Sequence, residues 1–415
     1  MQAIDKYLSK LPNALITELP HQDLGIVVCI PAFNESLLIN SLNALLQADK
    51  PSAAVEILVN INYSEQTNAE EKLFNQKAYR ILQHFAQKNS SDKFKIIPIL
   101  TADIPKKIAG VGYARKIIMD EAFRRLLKVG NEKGLILGFD ADSTCKKNYF
   151  TEIEKSFQQD AQLSGVSIFF EHEIEGSNYP QEIYDAIILY ELHLRYYVNA
   201  LRIIKTPYAY QTVGSSFAVR ANTYAAVGGM APKKAGEDFY FLQKVMTNNK
   251  FTNLNSTKVY PSPRISTRVG FGTGPSVKEI SNIGYKNSFN FASFLAIKKI
   301  FDWIPFIFSS KKSLKDWDIH PILKKYLLDK NANKELDRIL RNHKTEKAFR
   351  KAFYQWLNGF QILKMLNQLK ADNEFKEQDI LSCVREMRAY QNKKKDNLSA
   401  KDYLKTMRKE DCLLF

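Results

Sequence analysis

The chain is poor in cysteine and has no long uninterrupted apolar run, and each shortage excludes a class of protein. Cys29, Cys145, Cys383 and Cys412 are the four cysteines in 415 residues, and no two are spaced as Cys-x-x-Cys. Scattered thiols exclude a disulfide framework and a thiolate zinc site, and they suit a reducing compartment. Met1 to Pro20 lacks an apolar stretch behind a basic start, so no signal peptide is expected. The most apolar segment, Phe291 to Phe308, is interrupted by Lys298, Lys299, Asp302 and Pro305. A spanning helix needs about 20 apolar residues. The segment is therefore expected to fill a core as a pair of helices, with membrane-surface contact as the alternative. The six histidines form no metal set. His172 is expected at the surface, and His193, in a helix with Tyr190, Tyr196 and Tyr197, is expected to pack.

What is present is ordinary globular composition with an unusual charge. Hydrophobic residues make up 45% and charged residues 25%, which excludes wholesale disorder. The length exceeds one ordinary core and predicts two domains. The net charge is +16, and from Lys311 to the end 25 Lys/Arg face 15 Asp/Glu. A basic surface attracts nucleic acid, anionic lipid or acidic substrates. Here the bases alternate with acids along helical segments, which favours a solvated surface; Lys393, Lys394 and Lys395 are expected to be exposed.

From Leu24 to about Leu254, short apolar runs alternate with amphipathic stretches. Gly25 to Ile30 predicts a strand closed by Pro31, and Asn34 is expected to cap a helix whose Leu38, Leu42, Leu45 and Leu46 share a face. Strands follow at Val55 to Ile61, Phe94 to Leu100 and Gly134 to Phe139, with helices at Ala69 to Gln87 and about Gly112 to Lys128. This rhythm predicts an α/β fold with a mostly parallel sheet covered by helices. Ligands bind beyond the carboxyl ends of such strands. From about Asn282 the strand signal ends and helical patterning takes over. The expected organisation is an N-terminal extension over 1–23, an α/β domain over 24–281 and a mainly helical region over 282–415.

Asp140-Ala141-Asp142 directly follows the apolar run Leu135 to Phe139. Two carboxylates one residue apart at a strand exit can face one cleft and hold a divalent cation, Mn or Mg, with diphosphate oxygens and water completing its shell. Gly236-Glu237-Asp238 precedes an apolar helix; acids there also suit an ordinary helix start. Arg115 follows Gly110-Val111-Gly112 at a helix beginning, where glycines permit close backbone approach and a phosphate is favoured; a purely structural loop is the alternative. Arg264 and Arg268 precede the glycine-rich Gly270 to Gly274 and could close on a diphosphate, the alternative being a solvated linker.

Cys29-Ile30-Pro31-Ala32-Phe33-Asn34-Glu35 resembles the opening strand and turn of family-two glycosyltransferases, of bacterial inverting type. Asp140-Ala141-Asp142 resembles that family's metal acids, and Glu237-Asp238, 95 residues beyond Asp142, its Glu-Asp pair. Val213 to Arg220 and Gly228-Gly229 resemble its acceptor-side stretch. The resemblance spans about Leu24 to Gly274. It implies a GT-A type fold in which Pro31, Phe33 and Glu35 line the nucleotide pocket, Asp140 and Asp142 hold the metal, Asp238 is the catalytic base and Glu237 orients it. A nucleoside diphosphate sugar would donate to a glycan or lipid-linked glycan acceptor in cell-envelope polysaccharide synthesis. The expected location is cytoplasmic, peripheral at the inner face of the plasma membrane, with an anionic membrane surface as partner and no nucleic acid.

The pattern departs from the family in two places. The second strand runs into Asn60-Ile61-Asn62 where the family has an Asp for the base; Asn60 or Asn62 could meet a base edge instead, since an amide both donates and accepts. No Gln-x-x-Arg-Trp is present, which favours single addition. Two rival functions weigh less. A sugar-phosphate nucleotidyltransferase would need a glycine-rich basic loop after the first strand, where Pro31 to Glu35 has neither glycine nor base. A nucleic-acid-binding protein would segregate its bases on one face.

Overall fold

The computed structural model describes residues 2–234, 236–248, 250–266, 268, 270, 272–310, 314–393 and 398–413. The chain forms two compact units. One comprises residues 1–184, 212–278 and 408–415, the other 185–211 and 279–407.

The first unit is built on eight strands: β1 (Leu24–Ala32), β2 (Ala54–Ser64), β3 (Phe94–Ile104), β4 (Leu135–Gly138), β5 (Thr144–Cys145), β6 (Leu163–Phe170), β7 (Phe217–Arg220) and β8 (Lys250–Tyr260). They form one sheet in the order β3-β2-β1-β4-β7-β6-β8-β5. Pairing is parallel from β3 through β4 and between β6 and β8, whereas β7 and β5 run antiparallel to their neighbours. Val27, Val28, Cys29 and Ile30 of the inner strand β1 are wholly buried. A strand covered on both faces must be apolar at consecutive positions, which is why β1 reads as an unbroken hydrophobic run.

Helices α1 (Gln2–Leu8), α2 (Leu38–Gln47), α3 (Ala69–Asn89), α4 (Val111–Lys128), α5 (Tyr149–Gln159), α6 (Gln181–Ile203), α7 (Ala221–Ala226) and α8 (Glu237–Asn248) punctuate the strands. The mostly parallel sheet flanked by helices, followed by a helical region, is the class expected. Asn34 does not cap α2. The helix starts at Leu38 without a side-chain cap. Asn34 instead adopts φ 51°, accepted by asparagine more readily than by most residues. Its amide nitrogens bond the side chains of Asn75 (3.0 Å) and Glu71 (2.9 Å) on α3.

The segment before β1 lies along α4. Tyr7 donates to Asp120 (2.7 Å), the Leu15 amide to Glu121 (3.1 Å), and Arg125 to the Glu18 carbonyl (2.8 Å). Arg125 also pairs with Glu56 of β2, both buried, tying α4 to the sheet. These contacts fix the helix that carries Arg115.

The second unit is helical apart from a two-stranded ladder between Asn287–Ser288 and Gln378–Asp379. It contains α9 (Thr273–Ile283) in part, α10 (Phe291–Asp302) and α11 (Ile304–Ser310). Phe291, Phe294, Ile297, Ile300, Phe301, Ile304 and Ile307 are buried, so the apolar stretch is core, while Phe306 is 56% exposed. His193 packs here as expected: Nδ1 meets Ser288 Oγ at 2.9 Å, and burial pulls its pKa down to about 3. Among the described residues no helix is long and apolar enough to cross a membrane. Lys311, Lys312, Lys394, Lys395 and Phe271, which the charge and loop arguments invoked, lie outside the described residues.

Candidate active site

Because β1, β2, β3, β4, β6 and β8 run in one direction, their carboxyl ends share one edge of the sheet. The antiparallel β7 begins at that edge, which brings Gly214 to Ser216 there too. The segments just beyond the strands carry Glu35, Asp140, Asp142 and Arg264.

Asp140 and Asp142 leave β4 on a turn closed by a bond from the Ser143 amide to the Asp140 carbonyl (3.1 Å). The alternation is regular. Phe139, Ala141 and Ser143 are buried, whereas the side chains of Asp140 and Asp142 are 37% and 20% exposed. Both acids therefore face a recess rather than the core.

Arg115 joins them to the second acidic pair. One guanidinium nitrogen bonds Asp140 Oδ1 at 2.6 Å and another bonds Glu237 Oε1 at 2.6 Å. Arg115 and Glu237 are 3% and 2% exposed. Burial pulls the Arg115 pKa down, but Asp140 and Glu237 outweigh it and hold the group charged above its ordinary value. The guanidinium lies on Gly214, where a Cβ would stand 2.4 Å from Nη1, so any side chain there would displace the arginine. The close approach allowed by Gly112 is likewise internal: a Cβ there would meet the Lys233 carbonyl oxygen at 2.0 Å. The start of α4 is thus covered by the 231–234 segment, and Arg115 serves as counter-ion to the acids.

Asp238 is half-buried beside Glu237 at the start of α8, and its Oδ1 accepts the Phe239 amide at 2.7 Å. Burial, then the neighbouring Glu237 charge, push the Asp238 carboxyl up to about 7 against the pull of Arg115. Asp140 is raised as well, by enclosure of its carboxyl in the recess and in spite of Arg115.

Arg264 and Arg268 cover the remaining acids. Arg264 bonds Asp142 Oδ2 (3.0 and 3.1 Å) and pairs with Glu35. Arg268 bonds Glu35 Oε2 at 2.7 Å and the Phe33 carbonyl at 2.8 Å, and lies 3.7 Å from Asp142. The residues expected on the nucleotide side divide. Pro31 and Phe33 are half-buried on the β1 exit. Asn60 is wholly buried, its amide donating to the Ala114 carbonyl and accepting from Thr101, so its hydrogen-bonding capacity faces inward. Asn62 donates to the Ala32 carbonyl at 3.0 Å and stands nearer the strand exit. His172 is not at the surface: it is 3% exposed and packs edge-on against Phe170, 5.5 Å between centroids.

Five carboxylates, Glu35, Asp140, Asp142, Glu237 and Asp238, are thus served by three arginines. With Asp238 ionised, two negative charges stay uncompensated, the charge of one divalent cation. Arg115 holds Oδ1 of Asp140, and Arg264 holds Oδ2 of Asp142, leaving the other oxygen of each carboxylate for a metal. Among the described residues no three metal-ligating side chains come together. Asp140 and Asp142 by themselves would offer one or two carboxylates, which fits a hard cation whose shell is completed by diphosphate oxygens and water.

No family model and no curated protein matches the chain. Among solved structures it is similar to S. aureus TarS 1-349 in complex with UDP-GlcNAc, at 14% identity and TM-score 0.40, over 91% of this chain and 95% of that one. The mannosyltransferase PcManGT from Pyrobaculum calidifontis, in complex with GDP-Man and Mn2+, is 13% identical with TM-score 0.37, over 99% of this chain and 93% of that one. GalNAc-T7 with UDP, GalNAc and Mn2+ is 14% identical with TM-score 0.37, over 87% and 64%. All three are remote likenesses.

Proposed function

We propose that the chain transfers a sugar from a nucleoside diphosphate sugar to an acceptor hydroxyl, with inversion, one residue at a time. The observation that carries this reading is the pair of bonds from Arg115 to Asp140 and Glu237, which gathers the strand-exit acids and the Glu-Asp pair into one recess.

Asp140 and Asp142 would hold Mn or Mg, which as a Lewis acid neutralises charge developing on the leaving diphosphate. Arg264 and Arg268 would exchange their carboxylate partners for diphosphate oxygens, a trade between two anions of similar geometry. Pro31, Phe33, Glu35 and Asn62 would line the nucleotide. Asp238 would take the proton of the acceptor hydroxyl as it attacks the anomeric carbon from the face opposite the diphosphate. A carboxyl poised near neutrality is basic enough to accept that proton and still ionised in part at pH 7. Glu237, locked by Arg115, would hold Asp238 in position. One displacement with one base inverts the anomeric centre.

A glycan or lipid-linked glycan acceptor, used in cell-envelope polysaccharide synthesis at the cytoplasmic face of a membrane, belongs to the same proposal. Its supports are the basic excess of the last quarter and exposed Phe306. Slow donor hydrolysis tests the stereochemistry without knowledge of the acceptor. Nuclear magnetic resonance should detect the inverted anomer of the released sugar first; first release of the retained anomer refutes single displacement.

A further inference from the structure

Two loops that the transfer chemistry does not use meet beside the Glu237-Asp238 pair. One leaves β3 and carries Lys106, Lys107 and Ile108; the other, after α7, carries Lys233 and Lys234. They touch through glycine: a Cβ on Gly110 would lie 3.2 Å from the Lys234 Cα, and one on Gly112 2.0 Å from the Lys233 carbonyl oxygen. All four lysines are exposed, and Ile108 is 37% exposed among them. The Lys233 ammonium stands over the Tyr240 ring, 3.9 Å from its centroid, two residues beyond Asp238 on α8.

The acids on the neighbouring chain offset this cluster only in part, one carboxylate against four lysines. Glu65 accepts the Lys106 backbone amide at 3.1 Å, and Asp103 is paired with Lys72 at 2.7 Å. Among the described residues none of the four lysines takes part in an ion pair. Two loops distant in sequence converge to place four cations around the start of α4, on the side from which the chain enters the proposed base. Four exposed cations on two adjoining loops make the local potential positive and so favour an anionic partner.

We propose that this lysine rim binds the anionic groups of the acceptor, which is a phosphate-bearing polymer or oligosaccharide. The proposal rests on the transfer reading for the word acceptor, but the binding it asserts is separable. Phosphates on residues flanking the attacked hydroxyl would lie along the rim, and the attacked hydroxyl would sit at Asp238. Because the contacts are exposed and electrostatic, affinity falls steeply with salt.

The test uses the full chain and inorganic polyphosphate as probe. One variant replaces Lys106, Lys107, Lys233 and Lys234 with Gln. A control replaces the exposed Lys88, Lys128, Lys147 and Lys155 with Gln and so removes the same charge elsewhere. The rim variant is expected to bind polyphosphate at least about tenfold more weakly, with a shallower salt dependence, while the control stays within about twofold of wild type. Equal weakening in both variants, or in neither, overturns the proposal. Vesicles of anionic phospholipid form a second arm; rim-dependent binding to vesicles without rim-dependent binding to polyphosphate assigns the surface to lipid and also overturns it. Thermal stabilisation by nucleoside diphosphates with manganese, measured on the same samples, reports the transfer reading independently of either outcome.

Discussion

Arg115 and Glu237, 122 positions apart in sequence, form a salt bridge of 2.6 Å in which both side chains are almost wholly removed from water. Desolvating either charge alone is costly, so the pair persists only as a pair. Its consequence is positional: α4, itself strapped by the N-terminal segment, holds the start of α8 against the β4 exit.

Arg115→Met should therefore destabilise the protein by about 3–5 kcal/mol, because it leaves Glu237 buried and unpaired. Adding Glu237→Leu should restore much of that loss, since a buried pair replaced by apolar groups is often nearly neutral. Denaturant titration of the two single variants and the double variant measures the coupling. Simple additivity would show that the two residues do not act as a unit.

Asp142→Ala should leave the fold intact, its side chain being partly exposed, and abolish manganese-dependent nucleotide binding together with transfer. Isothermal titration of a nucleoside diphosphate with and without manganese checks it. Undiminished manganese dependence would remove Asp142 from the metal set.

Asp238→Asn is nearly isosteric and should preserve donor binding while lowering turnover about 10²–10⁴-fold. Wild-type transfer should rise with pH and reach half its plateau near pH 7, where the carboxyl ionises. Folding stability should move the opposite way. The native state keeps a proton that the unfolded chain releases at 3.8, so Asp238 contributes fully below 3.8, and that contribution is lost as pH rises through about 7. Thermal melts between these limits should slope downward in wild type and less so in Asp238→Asn. An equal slope in both would mean that Asp238 titrates normally.

Arg264→Ala and Arg268→Ala should each raise the KM for donor, and the double variant should also lose stability, because the Glu35 side chain is 2% exposed and would keep neither of its arginines. A fall in kcat with unchanged KM would place these arginines in the transition state alone.

Much of the scaffold was legible because a parallel sheet writes itself as apolar runs with acids at the exits. Leu135 to Phe139 followed by Asp140 and Asp142 is such a run, and the first helices match their patterned stretches closely. Tertiary partners left no such mark. Asn34 reads as a cap, yet Asn75 and Glu71 on the third helix hold it in a left-handed turn. Arg115 reads as a phosphate ligand because Gly110 and Gly112 precede it, but those glycines make room for the 233–234 backbone. Asn60 reads as a base contact from its place near a strand exit, while its face of the strand turns it toward α4. Residues 185–211 read as part of the α/β domain by position, yet they cluster with the helical unit through contacts far along the chain.

The central claim is that one recess binds a nucleoside diphosphate through a metal held by Asp140 and Asp142, and thermal shift tests it most directly. Wild type and Asp142→Ala would be heated with uridine and guanosine diphosphates, with and without manganese. A ligand at a hundred times its Kd stabilises by about 2.7 kcal/mol. The account predicts a raised Tm for wild type with one of these nucleotides only when manganese is present, and none for Asp142→Ala. A rise of the same size without manganese, or in the variant, would contradict it.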